Sequence, residues 1–158
     1  MKVIFLDVDG VLNSEMSREQ DRNKFDNWME CEVSESHIVN LKKIVDETGA
    51  QIVLSSSWRF DHPKATGRGF IVDPLMKILD RKLKEVGLDI IDVTPDLHGK
   101  KRGFEIKDWL DKHTEVEKFV ILDDDTDMLD EQKPFFVNTT FKCGLTEGLA
   151  KKAIEILK

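Results

Sequence analysis

Two aspartates one residue apart, Asp7 and Asp9, follow the apolar run Val3–Leu6. Such a run before a turn signal is typical of a strand buried on both faces of a parallel sheet, and ligands bind at the edge where such strands end. Carboxylates near apolar surroundings are costly unless a cation or a proton compensates them. Strand alternation points both side chains to one side, and Gly10 permits a tight turn beside a bound group. We therefore expect a site here rather than two residues that only cap the next element.

A second acidic cluster follows another apolar run later in the chain. Residues Phe119–Leu122 lead directly into Asp123 and Asp124, and Asp127 lies three residues further on. A calcium loop of the EF-hand type is excluded because its ligand spacing, its glycine and its terminal glutamate are missing. A run of helix-capping residues is the other alternative. The repetition of the pattern at Asp7 favours a functional cluster.

Hydroxyl groups follow a third apolar run, Ile52–Leu54. Ser55 begins this cluster and Ser56 supports it. Hydroxyl and backbone N–H groups at a strand end can donate hydrogen bonds to a phosphoryl oxygen, although loop polarity alone would also explain them. Arg59 lies just beyond and has two interpretations: a bidentate contact to a substrate phosphate, or a salt bridge on the surface.

The most basic stretch of the chain, Leu97–Gly103, precedes a predicted helix. A cation at this point would offset the repulsion between the aspartates and a phosphoryl group. The position immediately before Gly103 favours Arg102 for this role. Lys101 is the alternative, because only one of the adjacent cations needs to reach the site.

The alternation of apolar runs and helical patterns predicts one α/β domain over residues 1–158, a three-layer sandwich around a five-stranded parallel sheet. Strands are predicted at residues 3–6, 51–54, 89–94, 118–122 and 135–141, and helices after Ser34, Asp73, Gly103 and Gly144. His37 is expected on an exposed helix face. The polar segment 14–32 is either a solvated excursion or a small flap, and it is too short to form a cap domain.

Composition narrows the class of protein. The formal net charge of -7 argues against a high-affinity nonspecific binder of nucleic acid, but not against an enzyme that contacts a few phosphates. Cys31 and Cys143 match no zinc spacing, so we expect free thiols in a reducing compartment. Met1 leads directly into the first strand and no apolar run is long enough to span a membrane. We expect a cytoplasmic monomer or weak dimer that does not contact membranes.

The sequence DVDGVL at residues 7–12 resembles the first motif, DxDGxL/T, of the haloacid dehalogenase (HAD) superfamily. The later clusters are similar to its other motifs: Ser55 to the second, Arg102 or Lys101 to the third, and residues 123–127 to the fourth. The departures are three consecutive serines, a triple cation, and a triple aspartate in place of GDxxxD. The resemblance implies a Rossmann-like sheet with strand order 5-4-1-2-3 and all four motifs at its carboxyl edge.

The resemblance also implies roles for the residues. The first aspartate, Asp7, would be the nucleophile and Asp9 the general acid and base. Mg²⁺ would be held by Asp7, by Asp123 and by the backbone carbonyl of Asp9, with Asp124 and Asp127 acting through water or neighbouring groups. Ser55 and the motif-three cation would neutralise charge on the phosphoryl oxygens, with Gly10, Ser56 and Arg59 contacting substrate.

The implied reaction is Mg²⁺-dependent hydrolysis of a phosphomonoester. The stretches LSSSWR and KRGFEIKDWL resemble small capless HAD domains of RNA-repair proteins, which are similar to polynucleotide kinase-phosphatases. This favours a nucleotidase or a polynucleotide 3′-phosphatase. A sugar-phosphate or other metabolite phosphatase, a phosphotransferase and a noncatalytic phospho-ligand binding module are the alternatives. No kinase half is present, because the GxxxxGK[ST] pattern does not occur.

Overall fold

In the computed structural model, which describes residues 1–158, five strands and six α-helices alternate along the chain. The strands are β1 (Lys2–Leu6), β2 (Gln51–Leu54), β3 (Ile90–Val93), β4 (Lys118–Asp123) and β5 (Phe136–Asn138). The helices are α1 (Glu15–Asp21), α2 (Glu35–Thr48), α3 (Pro63–Thr66), α4 (Pro74–Glu85), α5 (Arg102–Asp111) and α6 (Glu147–Leu157). Short 3₁₀ helices cover Trp28–Glu32, Ser57–Asp61 and Asp130–Phe135. None of the helices combines the length and apolar character that a membrane crossing requires.

The sheet is parallel throughout, in the order β3-β2-β1-β4-β5. This is the predicted order 5-4-1-2-3 read from the opposite edge, so the predicted fold class is confirmed. The central position of β1 follows from its sequence, because a strand with no exposed polar face needs a neighbour on each side and helices on both faces.

Alternate residues of β1 enter two hydrophobic cores, one on each face of the sheet. Ile4 and Leu6 belong to the larger core, which is shared with α2, α4 and α6. Val3 and Phe5 belong to a smaller core that contains Trp109 of α5. The two cores form the outer interfaces of a three-layer sandwich.

Strand register brings the predicted site residues to one edge. Leu6 of β1 pairs with Leu54 of β2 and with Leu122 of β4. The Asp7 N–H then donates to the Leu122 carbonyl at 3.0 Å, so the polar residues that follow all three strands lie side by side. The predicted meeting of the strand ends is thus observed.

Element boundaries agree with the sequence signals in most places. The α2 helix ends at Gly49, which has a φ of 69°, and Asp73 caps α4 by accepting a hydrogen bond from the Met76 N–H. The last strand is shorter than predicted, because Phe135 ends a 3₁₀ helix and the chain turns after Asn138.

The prediction of an exposed His37 is wrong. Its ring is buried, with Nδ1 3.0 Å from the Leu145 carbonyl and Nε2 3.0 Å from Ser14 Oγ. Since a carbonyl only accepts, Nδ1 carries the proton. Burial lowers the pKa of His37, so this neutral ring joins α2 to the start of α1.

The polar segment 14–32 is folded and is attached to the body of the domain. Arg18 of α1 donates two hydrogen bonds to Glu32, at 3.1 and 2.8 Å. Lys82 of α4 is buried and donates to the carbonyls of Glu30 and Val33, at 2.7 and 2.8 Å. The segment is therefore a folded part of the domain that packs beside the carboxyl edge of the sheet.

Candidate active site

Three carboxylates converge at the carboxyl ends of β1 and β4. Oxygen atoms of Asp7, Asp123 and Asp124 all lie within 4.8 Å of one another. Asp7 is 7% exposed and Asp123 is 1% exposed, whereas Asp124 is half-buried. The sequence predicts that Asp124 contacts the metal through water or a neighbouring group, and the structure places its carboxylate in the same cluster as the other two.

Burial makes this cluster costly when it is fully ionised. Loss of solvation raises the pKa of Asp7, and burial together with the Asp7 charge raises the pKa of Asp123 to about 8. Burial also raises the pKa of Asp124. A divalent cation would remove the repulsion that these shifts reflect, and an all-oxygen donor set with room for water is the set that Mg²⁺ prefers. The three residues therefore fit the metal that the sequence predicts.

One cation reaches the cluster from the first turn of α5. Arg102 Nη1 lies 3.5 Å from Asp7 Oδ1 and 3.7 Å from Asp123 Oδ2. Lys101, the residue before the helix, is exposed and contacts neither carboxylate. Of the two cations left open by the sequence, the structure places Arg102 at the site. Its positive charge lowers the pKa of Asp7 and of Asp123, against the larger effect of burial.

Asp127 lies outside the carboxylate cluster, and its predicted contact with the metal through water or a neighbouring group stays a prediction. Its Oδ2 accepts a hydrogen bond from the Arg102 N–H at 3.0 Å, and its carbonyl accepts from the Gly103 N–H at 3.3 Å. A carboxylate at a helix N-terminus satisfies free N–H groups and the helix dipole. Asp127 therefore holds the start of α5, and Arg102 with it.

Asp9 is held by two donors that the sequence analysis did not assign. Asn13 Nδ2 donates to Asp9 Oδ1 at 3.0 Å, and the Trp58 indole Nε1 donates to Asp9 Oδ2 at 3.1 Å. Asn13 Oδ1 also accepts from the Gly10 N–H at 3.0 Å. The closeness of Asn13 to the DxDG motif was a usable signal. Trp58 gave none, because it lies 49 residues from Asp9 along the chain.

Position 10 requires glycine for two reasons, its backbone conformation and its closeness to Asp124. Its φ is 75°, a region that other residues rarely adopt, and a Cβ atom at this position would collide with the Asp124 carboxylate. The Gly10 carbonyl accepts from Thr139 Oγ1 at 2.7 Å. The glycine thus allows the loop after β1 to pass directly beneath Asp124.

The two predicted serines lie at the end of β2 beside β1. A hydrogen bond from Ser56 lowers the pKa of Asp7, against the larger effect of burial. The Ser55 hydroxyl is buried and has no hydrogen-bond partner. A buried polar group without a partner is rare in proteins, which makes this hydroxyl a candidate donor to a bound group.

Arg59 differs most from its predicted role as a phosphate ligand. Its guanidinium is 4% exposed and donates to the carbonyls of Ser56 and Thr94, at 2.8 and 3.0 Å. It also donates to Glu105 at 2.8 Å and to the Pro95 carbonyl at 3.3 Å. These internal partners occupy the fork, so Arg59 ties β2 and β3 to α5 rather than presenting a free cation at the edge.

Comparison with known proteins agrees with this architecture. A family model described as "HAD domain in Swiss Army Knife RNA repair proteins" matches residues 3–150. No curated protein and no solved structure matches the chain. The matched range contains every strand apart from Lys2, the first residue of β1, and every residue of the carboxylate cluster.

Proposed function

Because the chain belongs to the HAD domains of Swiss Army Knife RNA repair proteins, we propose that it is a Mg²⁺-dependent phosphomonoester hydrolase acting on a nucleotide or a nucleic-acid end. Membership of this family indicates a hydrolase. The observation that carries the finer proposal is the meeting of Asp7, Asp123 and Asp124 oxygens within 4.8 Å beside Arg102. Such a cluster suits one divalent ion and one phosphoryl group.

Asp7 is the proposed nucleophile. One of its carboxylate oxygens attacks phosphorus, so that an O–P bond forms while the bond from phosphorus to the leaving oxygen breaks. Mg²⁺ held by Asp7, Asp123 and Asp124 would supply charge neutralisation for the phosphoryl oxygens. Arg102 adds a fixed positive charge on the same side, and the unpartnered Ser55 hydroxyl donates a hydrogen bond to the group being transferred.

Asp9 is the proposed proton carrier. In its protonated form it gives its proton to the leaving oxygen, and as a carboxylate it then accepts a proton from the water that attacks the aspartyl-phosphate. This second attack releases inorganic phosphate and restores the Asp7 carboxylate. Asn13 and Trp58 each donate to one oxygen of Asp9 and fix the direction in which it faces.

The proposed substrate class has two supports. The family description names RNA repair proteins, and residues 14–32 form only one seven-residue helix and a 3₁₀ turn beside the site. An edge without a large cover admits the end of a polymer. We also propose a cytoplasmic location, which the free thiols of Cys31 and Cys143 support, and a monomer or weak dimer.

The test of the reaction is hydrolysis of p-nitrophenyl phosphate by the wild-type protein and by Asp7→Asn. We expect activity that requires Mg²⁺, is lost with EDTA, and falls to background in Asp7→Asn. Wild-type binding of phosphate compounds without turnover would instead favour a noncatalytic module. A screen of 3′-phosphorylated oligonucleotides, nucleoside monophosphates and sugar phosphates then tests the substrate class, and a preference for sugar phosphates would contradict it.

A further inference from the structure

A groove of about 430 Å³ is lined by residues that none of the steps above uses. Its walls are the end of β3, the 3₁₀ helix Ser57–Asp61 with α3, and one side of α5. The apolar part of the lining includes Phe60, Val93, Pro95 and Trp109. Thr94, Pro95 and Asp96 of the lining directly follow β3 and therefore lie at the carboxyl end of that strand.

Several charged groups of the groove are already paired within the protein. Asp92 accepts a hydrogen bond from the Trp109 indole at 2.8 Å, and Asp108 forms an ion pair with Lys112 at 2.7 Å. Arg59 is paired with Glu105. These pairs leave no net positive field in the groove, so it is a poor site for a phosphate.

Three polar groups of the groove have hydrogen-bonding capacity that the protein leaves unused. Lys64 is exposed and forms no ion pair. The Asp96 carboxylate is exposed and accepts only from its neighbour His98. The Thr94 hydroxyl is the most informative, because Thr94 is 1% exposed and its Oγ1 has no hydrogen-bond partner. An orphaned buried hydroxyl in the lining of a groove points to a ligand that completes it.

One aromatic ring offers a flat surface at the mouth of the groove. Phe60 is 53% exposed, and the Arg59 guanidinium lies 4.8 Å from the centre of its ring. The packed cation fixes one side of the ring while much of the ring stays accessible. Exposed aromatic rings of this kind are stacking platforms for nucleobases, and carboxylates, hydroxyls and amines read the edges of bases.

The groove lies at a suitable distance from the reacting phosphate. β3 is separated from β1 by β2 alone, which corresponds to about 10 Å at the usual spacing between strands. Arg59 connects the two places directly, since it donates to the Ser56 carbonyl beside Asp7 and to the Thr94 carbonyl in the groove wall. A phosphorylated nucleotide end at Asp7 would therefore have its own base or the adjacent base within reach of the groove.

We propose that this groove is a nucleobase subsite, in which a base stacks on Phe60 and bonds to Thr94 and Asp96. The inference rests on the proposed phosphatase function and adds to it the part of the substrate that gives preference. A neutral, flat, polar ligand satisfies the balanced charges, the free hydroxyl and the exposed ring together. A bare sugar phosphate would leave the ring uncovered.

The experiment compares two substrates that differ only in the presence of their bases. One is a 3′-phosphorylated dinucleotide, and the other is the same molecule with both bases removed and its charges kept. We expect the wild-type protein to favour the first in kcat/KM by about five- to a hundredfold, the usual effect of one stacked base. In Phe60→Ala, and to a smaller extent in Thr94→Val, this ratio should fall toward one. Equal kcat/KM values for the two substrates in the wild-type protein would overturn the subsite.

The matched control is Phe70→Ala. Phe70 is also an exposed ring beside an arginine, Arg68, but it lines a different pocket. This variant should keep the wild-type preference for the base-containing substrate. If Phe70→Ala lowers the ratio as much as Phe60→Ala does, the assignment to this groove is wrong.

A binding measurement separates the subsite from the reaction. Calorimetric titration with the unphosphorylated dinucleotide needs no catalysis, and it should give at least fivefold weaker binding to Phe60→Ala than to the wild-type protein or to Phe70→Ala. Absence of hydrolysis of every phosphate ester together with this pattern would reject the proposed function and retain the subsite. Equal binding to all three proteins, or no detectable binding to the wild-type protein, would overturn it.

Discussion

Two arginines beside the same sheet edge occupy opposite environments. Arg59 is nearly inaccessible and donates to three carbonyls and to one carboxylate. Arg102 has a side chain that is 21% exposed, and its closest carboxylate atoms are 3.5 and 3.7 Å away. The N–H donors of Arg59 are occupied by groups of the protein, whereas the Arg102 guanidinium has donors left for a ligand. Saturation by internal partners, rather than residue type or position after a strand, separates the structural cation Arg59 from Arg102, the cation that we propose acts on substrate.

Breaking the saturated pair should have the largest effect on stability. Glu105→Ala leaves the buried Arg59 without its anion, and also removes the acceptor of the Leu97 N–H. We expect the free energy of unfolding to fall by about 3–5 kcal/mol, since an unpaired buried charge is costly. Urea denaturation measures this. The control is Lys107→Ala, which breaks an exposed ion pair on the same helix and should lower the free energy of unfolding far less, because solvent screens such a pair. Equal losses in the two variants would contradict the contrast.

Removing the unsaturated arginine should instead affect activity. Arg102→Ala is expected to lower kcat/KM for p-nitrophenyl phosphate by about 10²–10³-fold, the usual loss for one preorganised charge or donor in an active site. Its cost in unfolding free energy should be smaller than that of Glu105→Ala. Steady-state kinetics with Lys101→Ala as the matched control checks the assignment. If Lys101→Ala shows the larger loss in activity, the neighbouring cation has the role given to Arg102.

The carboxylate cluster should make metal-free stability depend on pH. The pKa of Asp123 is about 8 in the folded protein against an ordinary value of 3.8, so the folded state binds this proton more tightly. Stability should therefore be highest at low pH within this window, and should fall as the pH rises from about 4 to 8. Thermal unfolding in EDTA, with Asp123→Asn as reference, measures the contribution of this group.

Added Mg²⁺ should reverse that trend. Metal binding requires the ionised carboxylates, so the rise in melting temperature caused by Mg²⁺ should be greater at pH 8 than at pH 6. In Asp123→Asn the rise should be small at both values. A wild-type rise that does not depend on pH would show that Asp123 is not part of the metal site.

Changes at the contacts that attach residues 14–32 should give the smallest losses in the free energy of unfolding. They also compare a buried cation, whose donors are occupied, with an exposed one. Lys82→Met leaves the carbonyls of Glu30 and Val33 without their buried donor, which we expect to cost about 1–3 kcal/mol. Arg81→Ala removes exposed ion pairs with Glu30 and Glu85. The Arg81 side chain is 48% exposed, and this change should cost less than about 1 kcal/mol. Urea denaturation of both variants measures the difference, and a larger loss for Arg81→Ala would contradict it.

Sequence was sufficient where the relevant information is local. Apolar runs followed at once by Asp7, Ser55 and Asp123 define both the strands and the residues at their ends, and parallel pairing then brings those ends together. The order of the sheet came from the resemblance to the HAD superfamily. The observed strand order is the same, and the family model that matches residues 3–150 is also a HAD domain.

Sequence was insufficient where a role depends on a distant partner. Arg59 is saturated because Glu105, 46 positions away, faces it across the interior. Asp127 belongs to the acidic run by sequence, yet the approach of the first turn of α5 makes it a helix cap. His37 lies on a helix whose pattern gave no sign that the loop at Leu145 would cover it. In each case the deciding contact joins residues that the chain separates by at least 25 positions.

The most direct test of the central claim is to trap the covalent intermediate. The protein would be mixed with Mg²⁺ and a phosphomonoester, quenched in acid within milliseconds, reduced with borohydride and analysed by peptide mass spectrometry. The account predicts modification at Asp7 alone, dependent on Mg²⁺ and absent from Asp7→Asn. Modification at Asp9 or Asp123, or full turnover by Asp7→Asn, would contradict it.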